Sequence, residues 1–79
     1  MKAVRDTLNK LKWCKGFDIK KAEIWYRHRG VPGDVKVLSG KDIVSIGKTF
    51  METKTSIIPY HRVLKITYRG KILFDRNRH

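Results

Sequence analysis

The stretch YHRVLKITYRGKILFD, residues 60–75, predicts a β-hairpin, and the rest of the fold can be built outward from it. Along its first arm, Leu64, Ile66 and Tyr68 alternate with Val63, Lys65 and Thr67. A period of two is typical of a strand that places one face on a core. Arg69 and Gly70 interrupt the pattern, so we expect the turn there and a returning strand after it.

The length of that turn decides which residues of the two arms face each other. A three-residue loop that ends with a left-handed Gly70 sets Ile66 opposite Ile72. The same loop sets Leu64 opposite Phe74, whereas a two-residue loop would set a charged side chain there. Because a buried face specifies register, we expect the three-residue loop.

A helix is predicted near the start of the chain, over residues 3–13. Val4, Leu8 and Leu11 recur at i, i+4 and i+7, which is the spacing of one apolar helix face. Gly16 can end this helix by taking the left-handed conformation.

Further strands are expected between this helix and the hairpin. Residues 22–28 alternate, with one face formed by Ala22, Ile24, Tyr26 and His28 and the other by Glu23, Trp25, Arg27 and Arg29. Residues 35–38 predict a short returning strand, and residues 39–50 a turn of helix that runs into a strand. The chain is therefore expected to form one α+β domain over residues 1–79. One or two helices would pack on one face of an antiparallel sheet, and the other face would stay open and polar.

Charge is the strongest compositional signal. Nineteen Lys and Arg against seven Asp and Glu give a formal net charge of +12 at pH 7. Repulsion of this size destabilises a small domain, so it usually serves a polyanionic partner. Nucleic acid is the first candidate, because neutralising phosphates releases counterions. A membrane surface is the weaker alternative, because the sequence has neither a strongly amphipathic basic helix nor a lipidation motif.

The composition also limits the compartment and the cofactors. Cys14 is the single cysteine, so no internal disulfide can form, and the first residues lack the apolar segment of a signal peptide. We therefore expect a reducing, cytoplasmic compartment. A chain of 79 residues has no room for a buried cofactor cleft, so no cofactor is expected and any site should lie at the surface.

The segment YRHRG, residues 26–30, is the first cluster with functional character. Arg27 and Arg29 share a strand face with Trp25, which could stack a base while the guanidinium groups hold phosphate. The alternative is that Trp25 covers a second small core. His28 falls on the apolar face by alternation, where a histidine is more often a hydrogen-bonded core residue.

The segment SIIPYHRVL, residues 56–64, is the second cluster. If the hairpin strand extends through it, His61 begins an outward row with Lys65 and Thr67, which is a plausible phosphate track. Arg62 would reach the rim from the core side. Alternatively, Tyr60 and Arg62 cover the core edge and His61 is a solvated surface histidine.

The two clusters together predict one phosphate-binding site. A pair of imidazoles also permits a catalytic interpretation, in which His28 and His61 act as general base and acid in metal-independent RNA cleavage. A metal site would need these histidines joined by Asp34 or Cys14. The adjacent arginines oppose a cation, so no metal is expected.

Four segments in order, LNKLKW, YRHRGVPGD, IPYHRVLKI and FDR, resemble the RNA cyclic group end recognition domain family over nearly the whole chain. The resemblance implies RNA binding with a preference for 2′,3′-cyclic phosphate termini. It also implies RNA-processing enzymes as partners, since similar domains are fused to them. The motif residues it carries over are His28, Arg29, Gly30, Pro32, Asp34, Pro59, Tyr60, His61, Arg62, Asp75 and Arg76. Cys14 departs from the family, where Asp often follows the Trp.

We therefore expect a non-catalytic module that recognises RNA ends. Its RNA- or phosphate-binding residues would be Trp25, Arg27, His28, Arg29, Tyr60, His61, Arg62, Lys65 and Arg76. Asp34 would orient His28 or Arg29, or else cap the turn at Gly33. Two alternatives remain: an RNA cyclic phosphodiesterase or ribonuclease that uses His28 and His61, and a basic structural component of a ribonucleoprotein. The sequence leaves the oligomeric state open.

Overall fold

One α-helix and seven strands form the regular structure of the computed structural model, which describes residues 2–30 and 32–76, apart from the side chains of residues 2 and 32. The helix α1 spans Lys2–Trp13, which confirms the predicted helix. The strands are β1 Ala22–Arg27, β2 Val35–Ser39, β3 Ile43–Ile46, β4 Phe50–Thr53, β5 Ile57–Pro59, β6 Val63–Tyr68 and β7 Lys71–Asp75. Short 3₁₀ turns lead into four of these strands, at Ile19–Lys21, Pro32–Asp34, Gly40–Asp42 and Tyr60–Arg62. Within the described part of the chain, no helix is long and apolar enough to cross a membrane.

The α+β class is confirmed, but the prediction of a single sheet is wrong. The described strands form two antiparallel sheets, ordered β2-β1-β6-β7 and β3-β4-β5. The second sheet is hard to recognise because β4 and β5 have only four and three residues, too few to show a period. Thr53 closes the turn between them, since its Oγ1 accepts from the N–H groups of Thr55 at 3.3 Å and Ser56 at 3.0 Å.

The core lies where helix α1 meets both sheets. Val4, Leu8 and Leu11 are fully buried, as their spacing predicts. They join a cluster that includes Ile24 and Ile66 from the four-stranded sheet and Met51 and Ile58 from the three-stranded one. Full burial of one such side chain contributes about 1.5–3 kcal/mol. The stripe on the helix therefore holds the two sheets together.

The hairpin of β6 and β7 has a shorter turn than predicted. Tyr68 pairs directly with Lys71, so two residues form the loop. Both are left-handed, with φ of 51° at Arg69 and 83° at Gly70. This is the type I′ arrangement, whose twist matches that of the flanking strands, and local geometry therefore overrides the expected three-residue loop.

A bulge in β7 changes the residue opposite Ile66, which a two-residue turn alone would make Leu73. The register shifts between Ile66 and Thr67, so that Ile66 faces Phe74 and Leu73 is left over. The predicted partner of Ile66 is therefore wrong by two residues. The extra residue allows the core face of β6 to meet an aromatic side chain rather than an exposed leucine.

A second bulge removes Leu64 from the core. Trp25 pairs with Lys65, but the next residue, Tyr26, pairs with Val63, so Leu64 has no opposite residue in β1. Val63 is fully buried whereas Leu64 is only half-buried. The prediction that Leu64 faces the core is therefore wrong.

Candidate functional site

The two basic clusters meet at one end of the four-stranded sheet. They enclose a solvent-open cavity of about 540 Å³ whose described lining is Arg27, His28, Arg29, His61, Arg62, Leu64 and Arg76. Six of these seven side chains carry a guanidinium or an imidazole, and none carries a carboxylate. The structure therefore brings His28 and His61 into one cavity, although 33 positions separate them in the sequence.

The end of β1 positions the first cluster. Beyond Arg27 the backbone N–H of His28 donates to the carbonyl of Asp34 at 2.8 Å, which closes the loop between β1 and β2. The His28 ring packs edge-on against Tyr26, with centroids 6.1 Å apart. His28 is thus half-buried at the cavity wall, while Arg27 and Arg29 on either side are exposed.

The predicted orienting role of the Asp34 side chain does not appear in the structure. Its carboxylate forms no hydrogen bond or ion pair with His28 or Arg29. The contact with His28 is the hydrogen bond from the His28 backbone N–H to the backbone carbonyl of Asp34. Asp34 has a left-handed φ of 55°, a conformation that Asp tolerates better than most residues. Asp34 therefore shapes the loop through its backbone.

The 3₁₀ turn at Tyr60–Arg62 positions the second cluster, where the sequence predicted a continuous strand. The turn breaks the alternation, so His61 leaves the row of Lys65 and Thr67 and lines the cavity instead. His61 and Arg62 are both exposed at this wall.

Arg76 fastens this turn to the end of β7. Its Nε donates to the carbonyl of Val63 at 2.9 Å, and Nη2 donates to the carbonyl of Tyr60 at 3.0 Å. Its backbone N–H also donates to the carbonyl of Leu64 at 2.9 Å. The sequence indicates a role for Arg76 only through the family motif. No local pattern shows that its side chain bonds to a turn so far away in the sequence.

Tyr60 is a core residue, and its assignment to the RNA-binding set is therefore corrected. Its side chain is fully buried and its hydroxyl donates to the carbonyl of Gly47 at 2.7 Å. Burial raises the pKa of this hydroxyl, and the charge of Arg5 acts in the opposite direction. Tyr60 thus anchors the turn to the hydrophobic core and does not line the cavity.

Trp25 and Lys65 lie outside the cavity, on the outer face of the four-stranded sheet. Lys65 Nζ stands 4.2 Å from the centroid of the indole ring, and Trp25 Nε1 donates to Thr67 Oγ1 at 3.3 Å. A cation over an aromatic face is mutually stabilising. Val37 pairs with Trp25 on the same face and is 43% exposed, but Thr67, which accepts from the indole, is only 8% exposed. This face is therefore partly open, and the predicted outward exposure of Thr67 is wrong.

The cavity has the chemistry of an anion site. Guanidinium groups hold phosphate oxygens in pairs and stay charged at all ordinary pH values. The described residues contain no group of three His, Cys, Asp or Glu that could hold a metal ion. Fold and cavity together define a small domain of net charge +12 with a solvent-open cavity whose described lining is mostly arginine and histidine.

The chain belongs to the family described as the MJ1316 RNA cyclic group end recognition domain, whose model matches residues 1–76. It is similar to a UPF0248 protein of Pyrobaculum islandicum, with 32% identity over 78 residues that cover 92% of this chain and 88% of the relative. UPF0248 protein MmarC6_0667 of Methanococcus maripaludis is 33% identical over 75 residues, covering 92% of this chain and 97% of the relative. A UPF0248 protein of Thermococcus onnurineus is 30% identical over 74 residues, covering 92% and 84%. No solved structure matches the chain significantly.

Proposed function

We propose that this protein binds RNA ends and selects those that carry a 2′,3′-cyclic phosphate. The observation that carries the proposal is the cavity in which four arginines and two histidines converge, with no acidic residue among its described lining. The family description names RNA cyclic group ends, and the net charge of +12 suits a polyanion.

A cyclic phosphate fits this lining for chemical reasons. It carries one negative charge on a rigid ring, so it needs a few fixed donors rather than many flexible ones. Arg27, Arg29 and Arg62 supply planar donor forks, and His28 and His61 supply N–H donors in the same cavity. Leu64 adds an apolar surface for the ribose. Arg76, which also holds the turn, adds its charge.

The outer face of the sheet offers a path for the nucleotides that precede the end. Arg27 lies on this face at the cavity, and Trp25 lies two residues earlier in β1, further from the cavity. Single-stranded nucleic acid commonly stacks its bases on aromatic rings beside basic side chains. We assign Trp25 and Lys65 to this role, in which Lys65 leaves the indole for a phosphate when a base stacks on the ring.

The decisive experiment compares one RNA sequence with three ends: 2′,3′-cyclic phosphate, 3′-phosphate and 3′-hydroxyl. We expect the cyclic phosphate to bind most tightly, and we expect His61→Ala to lower its advantage over the 3′-hydroxyl about tenfold, because one hydrogen bond to a charged group is lost. Affinity for the 3′-hydroxyl RNA should change by less than about twofold. Isothermal titration calorimetry measures both quantities.

Lys20→Ala is the matched control for that comparison. Lys20 is exposed in the 3₁₀ turn at Ile19–Lys21 and is not among the described cavity residues. Its loss should weaken all three RNAs alike, since such a contact holds the backbone without reading the end. Equal affinities of the normal protein for the three ends would contradict end recognition and favour a charge-driven role in a ribonucleoprotein.

One observation favours a catalytic candidate as well: His28 and His61 line the same cavity. Two imidazoles could act as base and acid on a cyclic phosphate, and the arginines would stabilise the charge of the transition state. Incubation of labelled cyclic-phosphate RNA with the protein and a chelator tests this. Turnover that either His→Ala variant abolishes would establish the enzyme, whereas intact RNA after long incubation would leave binding as the function.

A further inference from the structure

A second cavity adjoins the first and differs from it in one chemical respect. It measures about 390 Å³, and its described lining is Arg27, Arg29, Gly33, Asp34, Val35 and Leu64. Three of these residues also line the first cavity, so the two spaces share a wall. The residue that distinguishes the second cavity is Asp34, because it is the one acidic residue among the described lining of either cavity.

Asp34 lines the second cavity, and no cation neutralises its carboxylate among the described residues. Among the described residues, no Lys, Arg or His nitrogen lies within 4.0 Å of its oxygens. Its position is set by the backbone, through the left-handed φ of 55° and the hydrogen bond from His28 N–H to its carbonyl. A carboxylate repels phosphate, so a terminal phosphoryl group would favour the first cavity over the second.

The remaining lining of the second cavity suits a flat heterocycle. Leu64 and Val35 are apolar, and Val35 is 40% exposed. The guanidinium planes of Arg27 and Arg29 can stack on a nucleobase, as arginine does with unpaired RNA bases. A base in the second cavity and a cyclic phosphate in the first would belong to the same terminal nucleotide.

We infer that the second cavity binds the terminal nucleobase and that Asp34 selects among bases by their hydrogen-bond donors. This inference rests on the proposed function. An ionised carboxylate is an acceptor only. Guanine offers two adjacent donors, N1–H and the N2 amino group, which pair with both carboxylate oxygens. Adenine and cytosine offer one amino group each. Uracil offers a single N–H between two carbonyl oxygens that the carboxylate repels, so it should bind least well.

The test uses single-stranded oligonucleotides that differ only in the last base, each with a 2′,3′-cyclic phosphate and with a 3′-hydroxyl. We expect the G-ended cyclic phosphate to bind about tenfold more tightly than the U-ended one. Asp34→Asn should reduce that ratio to about twofold or less, because the amide presents a donor as well as an acceptor. Asparagine also tolerates the left-handed backbone, so the loop should keep its shape.

Asp6→Asn is the charge-matched control. Asp6 is exposed on helix α1 and is not among the residues of either cavity. Both substitutions remove one negative charge, so a difference between them reflects the position of the residue and not the net charge. We expect only the Asp34 variant to lose the base ranking. Urea denaturation of both variants verifies that they fold normally.

The outcomes separate the two claims. Cyclic-phosphate preference with equal affinities for all four bases, or a ranking unchanged in Asp34→Asn, overturns the inference about Asp34 and leaves end recognition intact. A base ranking without any preference for cyclic phosphate overturns end recognition and leaves the base subsite. Failure to bind any of the RNAs overturns both.

Discussion

Arg76→Ala is expected to lower the free energy of unfolding by about 2–3 kcal/mol and to remove the proposed preference for cyclic phosphate as well. The guanidinium donates to the carbonyls of Tyr60 and Val63, at 3.0 and 2.9 Å. Both residues are fully buried, so truncation leaves two carbonyl groups without their charged donor. The turn that carries His61 and Arg62 would then lose its fastening to β7. Urea denaturation measures the first effect and titration with the three RNA ends the second.

Arg29→Ala separates the two effects, because Arg29 lines the same cavity but is exposed. We expect it to weaken RNA binding while the free energy of unfolding changes by no more than about 0.5 kcal/mol. Arg76→Lys should fall between the two variants, since lysine keeps the charge without the planar fork. An Arg76→Ala protein as stable as the normal one would show that other contacts hold the turn.

Gly40→Ala is expected to cost about 3 kcal/mol or more of stability, although it adds a single methyl group. Gly40 is buried in the 3₁₀ turn at Gly40–Asp42. A methyl group there would overlap the carbonyl oxygen of Ile19 and lie 2.8 Å from its carbonyl carbon. These are backbone atoms, so the clash is relieved only if the two 3₁₀ turns move apart. The shift in the urea unfolding midpoint measures the cost.

Gly70→Ala is the control for Gly40→Ala. Gly70 has a left-handed φ of 83°, but a methyl group there would meet nothing within 4 Å. Only the backbone conformation is penalised, by about 1–2 kcal/mol. If both substitutions cost the same, the close approach of Gly40 to Ile19 is not the cause of its effect.

The parts of the fold that follow from the sequence are those in which one periodic pattern runs without interruption. The spacing of Val4, Leu8 and Leu11 predicts helix α1 and its buried face. The alternation in residues 22–28 predicts β1 and the burial of Ile24 and Tyr26. In both cases a single face meets the core, so the pattern of apolar residues and the geometry of the element agree.

The parts that do not follow are places where one residue changes the phase of the pattern. Bulges at Leu64 and Leu73 each insert a residue. Leu64 follows Val63, and Leu73 stands between Ile72 and Phe74, so adjacent apolar residues conceal the shift. A 3₁₀ turn of three residues has the same effect at Tyr60. Alternation carried through these positions assigns Leu64 to the core, but the structure places Leu64 at the cavity. Alternation also assigns Tyr60 to the core side, where the structure buries it, and only the motif assigns Tyr60 to the site.

The candidate site was predictable as a set of residue types but not as a geometry. Clustered His and Arg beside the strand ends indicate a phosphate site, and five of the predicted residues from the two clusters line the cavity: Arg27, His28, Arg29, His61 and Arg62. The fastening of the second cluster by Arg76 depends on a hydrogen bond to the carbonyl of Tyr60, 16 positions earlier in the sequence. No local pattern encodes such a contact.

The bulge at Leu64 also affects how the ligand preference of this domain can change. Leu64 lines both cavities, yet it stands outside the β1–β6 ladder and outside the buried cluster. A substitution at Leu64 therefore changes the wall that the two cavities share and has little effect on the stability of the buried core. If the domain recognises RNA ends as proposed, this one position allows the end preference to change while the fold stays intact.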